Sequence, residues 1–207
     1  LGQVIISTIF FYIYMKNGGQ TSFVVGTLGI DIELTWLYGL FILFILIGAS
    51  NAVNLTDGLD GLAGSLSAVA FIAFSLISFM VGFEDIGIFC LILVGSLIGF
   101  LVFNTHPAKV FMGDTGSLAL GGVMGAVAIL THRELTLLVV AGVFVIETLS
   151  VILQVFWLRF FHKKLFLMTP LHHHFEKLGW QETDIVKLFV VFGLLLAMGG
   201  IIFGVWL

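Results

Sequence analysis

Apolar stretches of about twenty residues recur along this chain and constrain its fold more than any other feature. Of the 207 residues, 60% are hydrophobic and only 10% are charged. A soluble domain of this length has no interior large enough to bury that much apolar surface. An apolar helix of about 20 residues does cross the hydrocarbon core of a bilayer. The sequence therefore predicts an all-α polytopic membrane protein built as a transmembrane helix bundle.

The apolar pattern predicts six complete spans, one incomplete span and one hairpin in a single transmembrane domain. The complete spans are predicted at about 36–53, 62–81, 86–103, 118–130, 135–161 and 185–206. The apolar run at 1–16 is shorter than a full span, so we expect the chain to be a fragment that begins inside a helix. β-branched residues on both sides of a glycine-bounded turn at 26–29 predict a small β-hairpin within residues 18–34.

Counting the spans places the three polar connections, at 54–61, 104–117 and 162–184, on the same side of the membrane. That side carries the basic residues Lys109, Arg159, Lys163, Lys164, Lys177 and Lys187. The opposite side carries only Lys16 and Arg133. Because basic residues concentrate in cytoplasmic loops, we expect the polar connections to face the cytoplasm and the hairpin to be extracytoplasmic. No run of lysines indicates binding to nucleic acid.

Two carboxylates stand three residues apart in the first polar connection, at Asp57 and Asp60. On a helical turn both side chains project from one face, where they repel unless a cation or a proton separates them. Gly58 beside them allows a close backbone approach. The plainer alternative is a turn in which one aspartate caps the next helix.

The second polar connection has Asp114 just before a glycine-rich span. Thr115 or Ser117 is expected to cap that helix, whose free amide groups would suit an anion. Asp114 would then supply a hard oxygen ligand for Mg²⁺. The alternative is again capping without a ligand.

The third polar connection carries three consecutive histidines, His172, His173 and His174. Consecutive side chains point in different directions, so all three cannot face one small metal ion. They suit a diphosphate, and one of them could transfer a proton; contact with lipid headgroups is the alternative. Glu147 lies inside a span, where a charge is costly, so it should face the bundle or a cavity with Gln154 two turns further on.

These motifs resemble those of the phospho-N-acetylmuramoyl-pentapeptide transferase family, within the polyprenyl-phosphate N-acetylhexosamine-1-phosphate transferase superfamily. The matching segments are NLTDGLDG at 54–61, residues 104–117 with FMGDTGS, and PLHHHFE at 170–176, in family order. The resemblance implies an Mg²⁺-dependent transfer of phospho-N-acetylmuramoyl-pentapeptide from its UDP-linked precursor to undecaprenyl phosphate. Lipid I and UMP would be the products, in peptidoglycan synthesis. It also implies ten transmembrane helices, a homodimer and an active site on the cytoplasmic face of a bacterial inner membrane.

The same resemblance assigns roles to individual residues. It implies that Asp114 is the Mg²⁺ ligand and that the catalytic groups are Asp57, Asp60, Asp114, His172, His173 and His174. The substrate-binding positions would be Asn54, Leu55, Gly58, Leu59, Asp60, Asn104, Phe111 and Gln154. The family's Asp-Asp-x-x-Lys motif has no counterpart in this sequence. We therefore expect this chain to be the carboxy-terminal part of such an enzyme and to be inactive by itself.

Three other functions remain open from the sequence. A sister transferase would use UDP-N-acetylglucosamine, although the triple histidine argues against it. A secondary transporter would use Glu147, Asp57 and Asp60 as coupling carboxylates, which predicts charges near the middle of the bilayer. A scaffold would have no catalytic activity.

Overall fold

Nine helices and one two-stranded sheet make up the part of the chain that the computed structural model describes, residues 1–25 and 30–206. Their bounds are α1 Gly2–Lys16, β1 Ser22–Val25, β2 Ile30–Glu33, α2 Leu37–Thr56, α3 Leu62–Met80, α4 Glu84–Asn104, α5 Gly113–Leu130, α6 Glu134–Val140, α7 Gly142–Phe161, α8 Leu171–Lys177 and α9 Glu182–Trp206.

Six of these helices, α2, α3, α4, α5, α7 and α9, are long and apolar enough to cross a membrane. Helix α3 lies at the centre, where it packs against α4 and α9 and buries Phe71, Phe74 and Ile77 completely. The outer helices leave long apolar side chains exposed, as expected for surfaces that face lipid. The predicted all-α membrane fold is thus confirmed.

Helix α5 begins at Gly113, five residues before the predicted span at 118–130. Asp114 therefore lies in the first helical turn, where a negative charge is favourable beside the free amide groups. The expected caps, Thr115 and Ser117, lie inside the helix; Met112 occupies the N-cap, with no side-chain cap among the described residues. Ser117 instead donates to the carbonyl oxygen of Gly113, at 3.0 Å. The capping prediction was wrong.

The single span predicted at about 135–161 is two helices, α6 and α7, which meet at Ala141. At this residue ψ is +21°, outside the helical range. Helix α6 packs mainly against α9, whereas α7 packs against α2. One straight helix cannot contact both partners along its length. No proline within residues 134–161 marks the break in the sequence.

The two strands pair antiparallel, with Ser22 opposite Glu33 and Phe23 opposite Ile32. Phe23 packs edge-on against Phe41 of α2, with ring centroids 5.7 Å apart. This contact sets the hairpin beside the first turns of α2, at the end of the bundle opposite the three polar connections. The predicted turn at 26–29 lies outside the described residues.

Glycines in α5 bring its backbone against α2, as the glycine-rich sequence predicts. A Cβ added to Gly121 would lie 2.2 Å from the carbonyl oxygen of Ala49 and 2.6 Å from the Cα of Ser50. Both are backbone atoms, so no side chain can move aside. This close packing sets the distance between the end of α2 and the start of α5, where Asn54 and Asp114 lie.

We expect Gly121→Ala to destabilise the protein by about 1–3 kcal/mol, because the added methyl group forces α2 and α5 apart. Thermal unfolding in detergent measures the loss. Gly95→Ala in α4 is the control, because its Cβ would meet no atom within 4 Å in the described part of the chain. Equal melting temperatures for the two variants would contradict the close approach.

Candidate active site

The carboxyl end of α2 and the amino end of α5 meet at one end of the bundle. Nδ2 of Asn54 donates to Oδ1 of Asp114 and to Oγ of Ser117, both at 3.0 Å. One amide group thus donates hydrogen bonds to residues that lie about sixty positions further along the chain. The first and second polar connections, which the span count placed on the same side, therefore contact each other.

Asp57 lies at the C-cap of α2, close to this pair. Burial raises the pKa of its carboxyl group, and the negative charge of Asp114 raises it further. The two carboxylates therefore destabilise each other when both are charged. A divalent cation between them would remove this repulsion, and carboxylate oxygens are the ligands that Mg²⁺ prefers.

The raised pKa of Asp57 gives stability a definite pH dependence. When a carboxyl group has a higher pKa in the folded state than in the unfolded state, the folded protein loses stability as the pH rises. The loss runs from the unfolded pKa, about 4, through the raised pKa of the folded state. We expect Asp57→Asn to increase the melting temperature of the metal-free complete protein at pH 7, and to do so less at pH 5. Excess Mg²⁺ should stabilise the wild type more than the variant. A melting temperature unchanged at both pH values would contradict the assignment.

Asp60 faces a different set of groups from Asp57. Its Oδ2 accepts the backbone N–H of Ala108 at 2.9 Å and lies 3.1 Å from Nδ1 of His106. The same Nδ1 lies 3.3 Å from Oε2 of Glu182, the first residue of α9. Residues 57–61 form turns rather than a helix, so the two aspartates do not share the face expected from their spacing.

Glu147 of α7 holds the start of the triple-histidine helix α8. Its carboxylate accepts hydrogen bonds from the backbone N–H of Leu171, at 2.5 Å, and of His172, at 3.2 Å. It also lies 3.1 Å from Nδ1 of His172. Both side chains are completely buried. A carboxylate from a membrane helix therefore supplies the cap that Pro170, at the N-cap of α8, does not provide.

The other ring nitrogen of His172 points towards the first polar connection. Its Nε2 is buried, and none of the described residues hydrogen-bonds to it. A Cβ added to Gly58 would lie 2.3 Å from this atom. Only glycine therefore fits at position 58, and His172 packs directly against the residue that follows Asp57.

The remaining two histidines have separate partners. Nδ1 of His173 contacts the carboxylate of Glu176 one turn on, and its side chain stays 28% exposed. Nδ1 of His174 accepts the backbone N–H of Leu167 at 3.1 Å. His173 is therefore placed to meet a ligand from solvent, and His174, which is also partly exposed, fixes the preceding loop.

Two amide side chains from the predicted substrate-binding set are engaged by backbone groups. Asn104 is buried, accepts the N–H of Gly61 at 3.1 Å and donates to the carbonyl of Val110 at 2.8 Å. Gln154 is also buried and makes three hydrogen bonds to the backbone of residues 165 and 166. Asn104 joins the first two polar connections, and Gln154 fixes the third.

The remaining predicted substrate-binding positions differ in exposure. Phe111 is 74% exposed and presents its ring to solvent beside α5. Leu59 is buried in the apolar core, and Leu55 is half-buried. Phe111 is therefore accessible to a ligand, whereas Leu59 can offer only its backbone.

Little in the sequence pointed to His106 and Glu182. Neither residue is among the predicted catalytic or substrate-binding positions. Span parity placed both on the side of Asp60, which is the only available signal. Glu147 was different: its cost inside a span indicated a buried partner, and the structure supplies His172.

Comparison with known proteins gives one family and several close relatives. The family model described as glycosyl transferase family 4 matches residues 1–132. The phospho-N-acetylmuramoyl-pentapeptide-transferase of Geobacillus thermodenitrificans (strain NG80-2) is 53% identical over 207 residues, which is 100% of this chain and 64% of that protein. The proteins of the same name from Bacillus subtilis (strain 168) and Shouchella clausii (strain KSM-K16) are each 50% identical, and 64% and 63% of their lengths are covered.

Proposed function

We propose that this chain, which belongs to glycosyl transferase family 4, is part of a phospho-N-acetylmuramoyl-pentapeptide transferase. The complete protein would move the phosphosugar-pentapeptide from its UDP-linked precursor to undecaprenyl phosphate, giving lipid I and UMP. Relatives of that name, matched along the whole chain, support the substrate pair. Because this chain spans 64% of their length, the activity is proposed for the complete protein.

The observation that carries the proposal is the convergence of Asn54, Asp57 and Asp114 at one end of the bundle. Transfer between a lipid phosphate and a nucleotide diphosphate brings two anions together, so the site must screen negative charge. Two carboxylates that repel each other, one of them held by the amide of Asn54, would offer a cation hard oxygen donors.

Mg²⁺ fits this donor set, with Asp114 as the exposed ligand and Asp57 beside it. When bound, Mg²⁺ would neutralise the diphosphate and stabilise UMP as the leaving group. The hydrogen bond from Asn54 keeps the Asp114 carboxylate turned towards α2. His173, partly exposed and oriented by Glu176, would contact the phosphate oxygens.

The chain's own residues would act mainly by holding the two substrates in line. An oxygen of the lipid phosphate attacks the sugar-linked phosphorus, and the bond from that phosphorus to UMP breaks. The exposed ring of Phe111 offers a stacking surface for the uracil. Asp60, another predicted substrate-binding residue, lies in the first polar connection. Trapping a phosphosugar–aspartate would contradict this direct transfer.

A lateral cavity supports a place for the prenyl chain. A cavity of about 380 Å³ opens between α2 and the α6–α7 pair, lined almost entirely by apolar side chains. Phe41, Phe44, Phe144 and Ile152 are among them. A lipid tail in this cavity would leave its phosphate near the carboxyl end of α2, which is where Asp57 lies.

We also propose that the site faces the cytoplasm across a bacterial inner membrane and that the complete protein is a homodimer. The excess of basic residues around the polar connections supports the orientation. The dimer is proposed from the family resemblance.

Release of UMP by the complete protein in lipid nanodiscs tests the function. UDP-N-acetylmuramoyl-pentapeptide with undecaprenyl phosphate should give UMP and a lipid-linked product in equal amounts. UDP-N-acetylglucosamine in the same assay should give neither, and UMP from it instead would favour the sister transferase. Substrate flux across liposomes without UMP release would favour a transporter.

A further inference from the structure

A second cluster of metal-binding groups lies at the same end of the bundle, formed by Asp60, His106 and Glu182. One donor atom from each residue lies within 4.8 Å of the other two. The three residues come from the α2–α3 connection, the α4–α5 connection and the start of α9. None of these groups belongs to the Asn54, Asp57 and Asp114 set.

The two distances from His106 to the carboxylates match those between ligands of one small ion. Nδ1 of His106 is 3.1 Å from Oδ2 of Asp60 and 3.3 Å from Oε2 of Glu182. A zinc ion with donors at about 2.0–2.2 Å and tetrahedral angles separates neighbouring donors by roughly 3.3–3.5 Å. The two carboxylate oxygens lie within 4.8 Å of each other, so an ion would enter as these two side chains close around it.

Backbone groups already orient both carboxylates. The N–H of Ala108 donates to Oδ2 of Asp60 at 2.9 Å, and the N–H of Asp60 donates to Oε1 of Glu182 at 2.6 Å. Oε2 of Glu182 is thereby left facing His106. Outer hydrogen bonds of this kind fix the ligands in protein metal sites.

We propose that Asp60, His106 and Glu182 form a second metal site, selective for an ion that binds imidazole, such as Zn²⁺, rather than for Mg²⁺. One nitrogen and two carboxylate oxygens suit zinc, whereas Mg²⁺ prefers oxygen donors alone. The side chains are 18%, 46% and 26% exposed in that order, so an ion can enter and keep a water ligand. The bound ion joins three connections that are distant in sequence.

Zinc binding to the metal-free complete protein tests the site directly. Isothermal titration of Zn²⁺ into the metal-free protein, to which only excess Mg²⁺ has been added, should detect one site in the wild type. His106→Ala and Glu182→Gln should each weaken it by about 100-fold or more, because each removes a ligand. His162→Ala is the matched control, since it removes an exposed histidine at the end of α7 and should leave the affinity unchanged.

Thermal unfolding gives an independent readout. Zn²⁺ should raise the melting temperature of the wild type, and His106→Ala should lose that shift while still unfolding cooperatively. Asp114→Asn should keep it, because Asp114 belongs to the other site. The proposal rests on the geometry of these three residues and not on the transferase activity, so either can fail alone.

Two results would overturn the second site. The first is the absence of Zn²⁺ binding to the wild type, which would leave His106 with only its contacts to the two carboxylates. The second is binding that His106→Ala leaves intact and that His173→Ala abolishes, which would move the ion to the triple-histidine helix.

Discussion

Asp114→Ala in the complete protein is expected to reduce turnover to UMP by about 1,000-fold while leaving the protein folded. A catalytic metal ion contributes several kcal/mol to the transition state, and about 4 kcal/mol corresponds to that factor. Folding should persist because Asp114 is exposed and Asn54 keeps its hydrogen bond to Ser117. Steady-state release of UMP over a range of Mg²⁺ concentrations measures the loss.

Asp184→Ala is the control for this variant. Asp184 is an exposed aspartate at the same end of the protein, paired with Lys187 one turn on in α9. Its removal changes the net charge equally but should leave turnover near that of the wild type. Normal activity of Asp114→Ala, with unchanged dependence on Mg²⁺, would remove Asp114 from the proposed site.

Glu147→Ala is expected to have the largest effect on structure, a loss of about 3–5 kcal/mol from leaving the partners of a buried group unpaired. The variant leaves the buried Nδ1 of His172 and the first amides of α8 without their acceptor. Helix α8 should then separate from α7 and carry His173 away from the site. Hydrogen exchange of residues 171–177, with the melting temperature, measures both changes.

Two further variants show whether Glu147 acts through position or through charge. Glu147→Gln keeps one oxygen acceptor but places an NH₂ group against N–H donors, so we expect an intermediate loss of protection in α8. Glu176→Ala removes an exposed glutamate from α8 and should leave the helix protected. Slow exchange in α8 of Glu147→Ala would show that the buried carboxylate does not hold this helix.

The proposed active site combines exposed groups with buried groups that support them. The groups that would contact the substrates, Asp114, Phe111 and His173, are exposed or partly exposed. Buried amides and carboxylates hold the backbone beneath them, as Asn104, Gln154 and Glu147 do. The proposed substrate contacts therefore rest on a backbone that buried side chains hold in place.

Several features of the fold followed from local sequence. Apolar runs of sufficient length predicted the six spans, because the bilayer thickness fixes the length of a spanning helix. β-branched strands beside glycines predicted the hairpin. Span parity put the three polar connections on one side. The hydrogen bond from Asn54 to Asp114 joins the first connection to the second, and that from the N–H of Asp60 to Glu182 joins the first to the third.

Other features had no local signal. The break at Ala141 arises because α6 and α7 pack on different partners, and no residue in that stretch forbids a continuous helix. The spacing of Asp57 and Asp60 suggested a carboxylate pair, but the turn at 57–61 directs them to different neighbours. Asn104 and Gln154 matched substrate-binding positions, yet their amides bond to backbone.

The sequence by itself determined that this protein crosses a membrane several times and which polar groups lie at one face, because hydrophobicity and span length act along the chain. Tertiary structure alone decided which of those groups meet. Asp60 joins His106 and Glu182, and Glu147 joins His172, through hydrogen bonds between residues 25 to 122 positions apart. Such contacts depend on how the helices pack, and the local sequence pattern does not specify that packing.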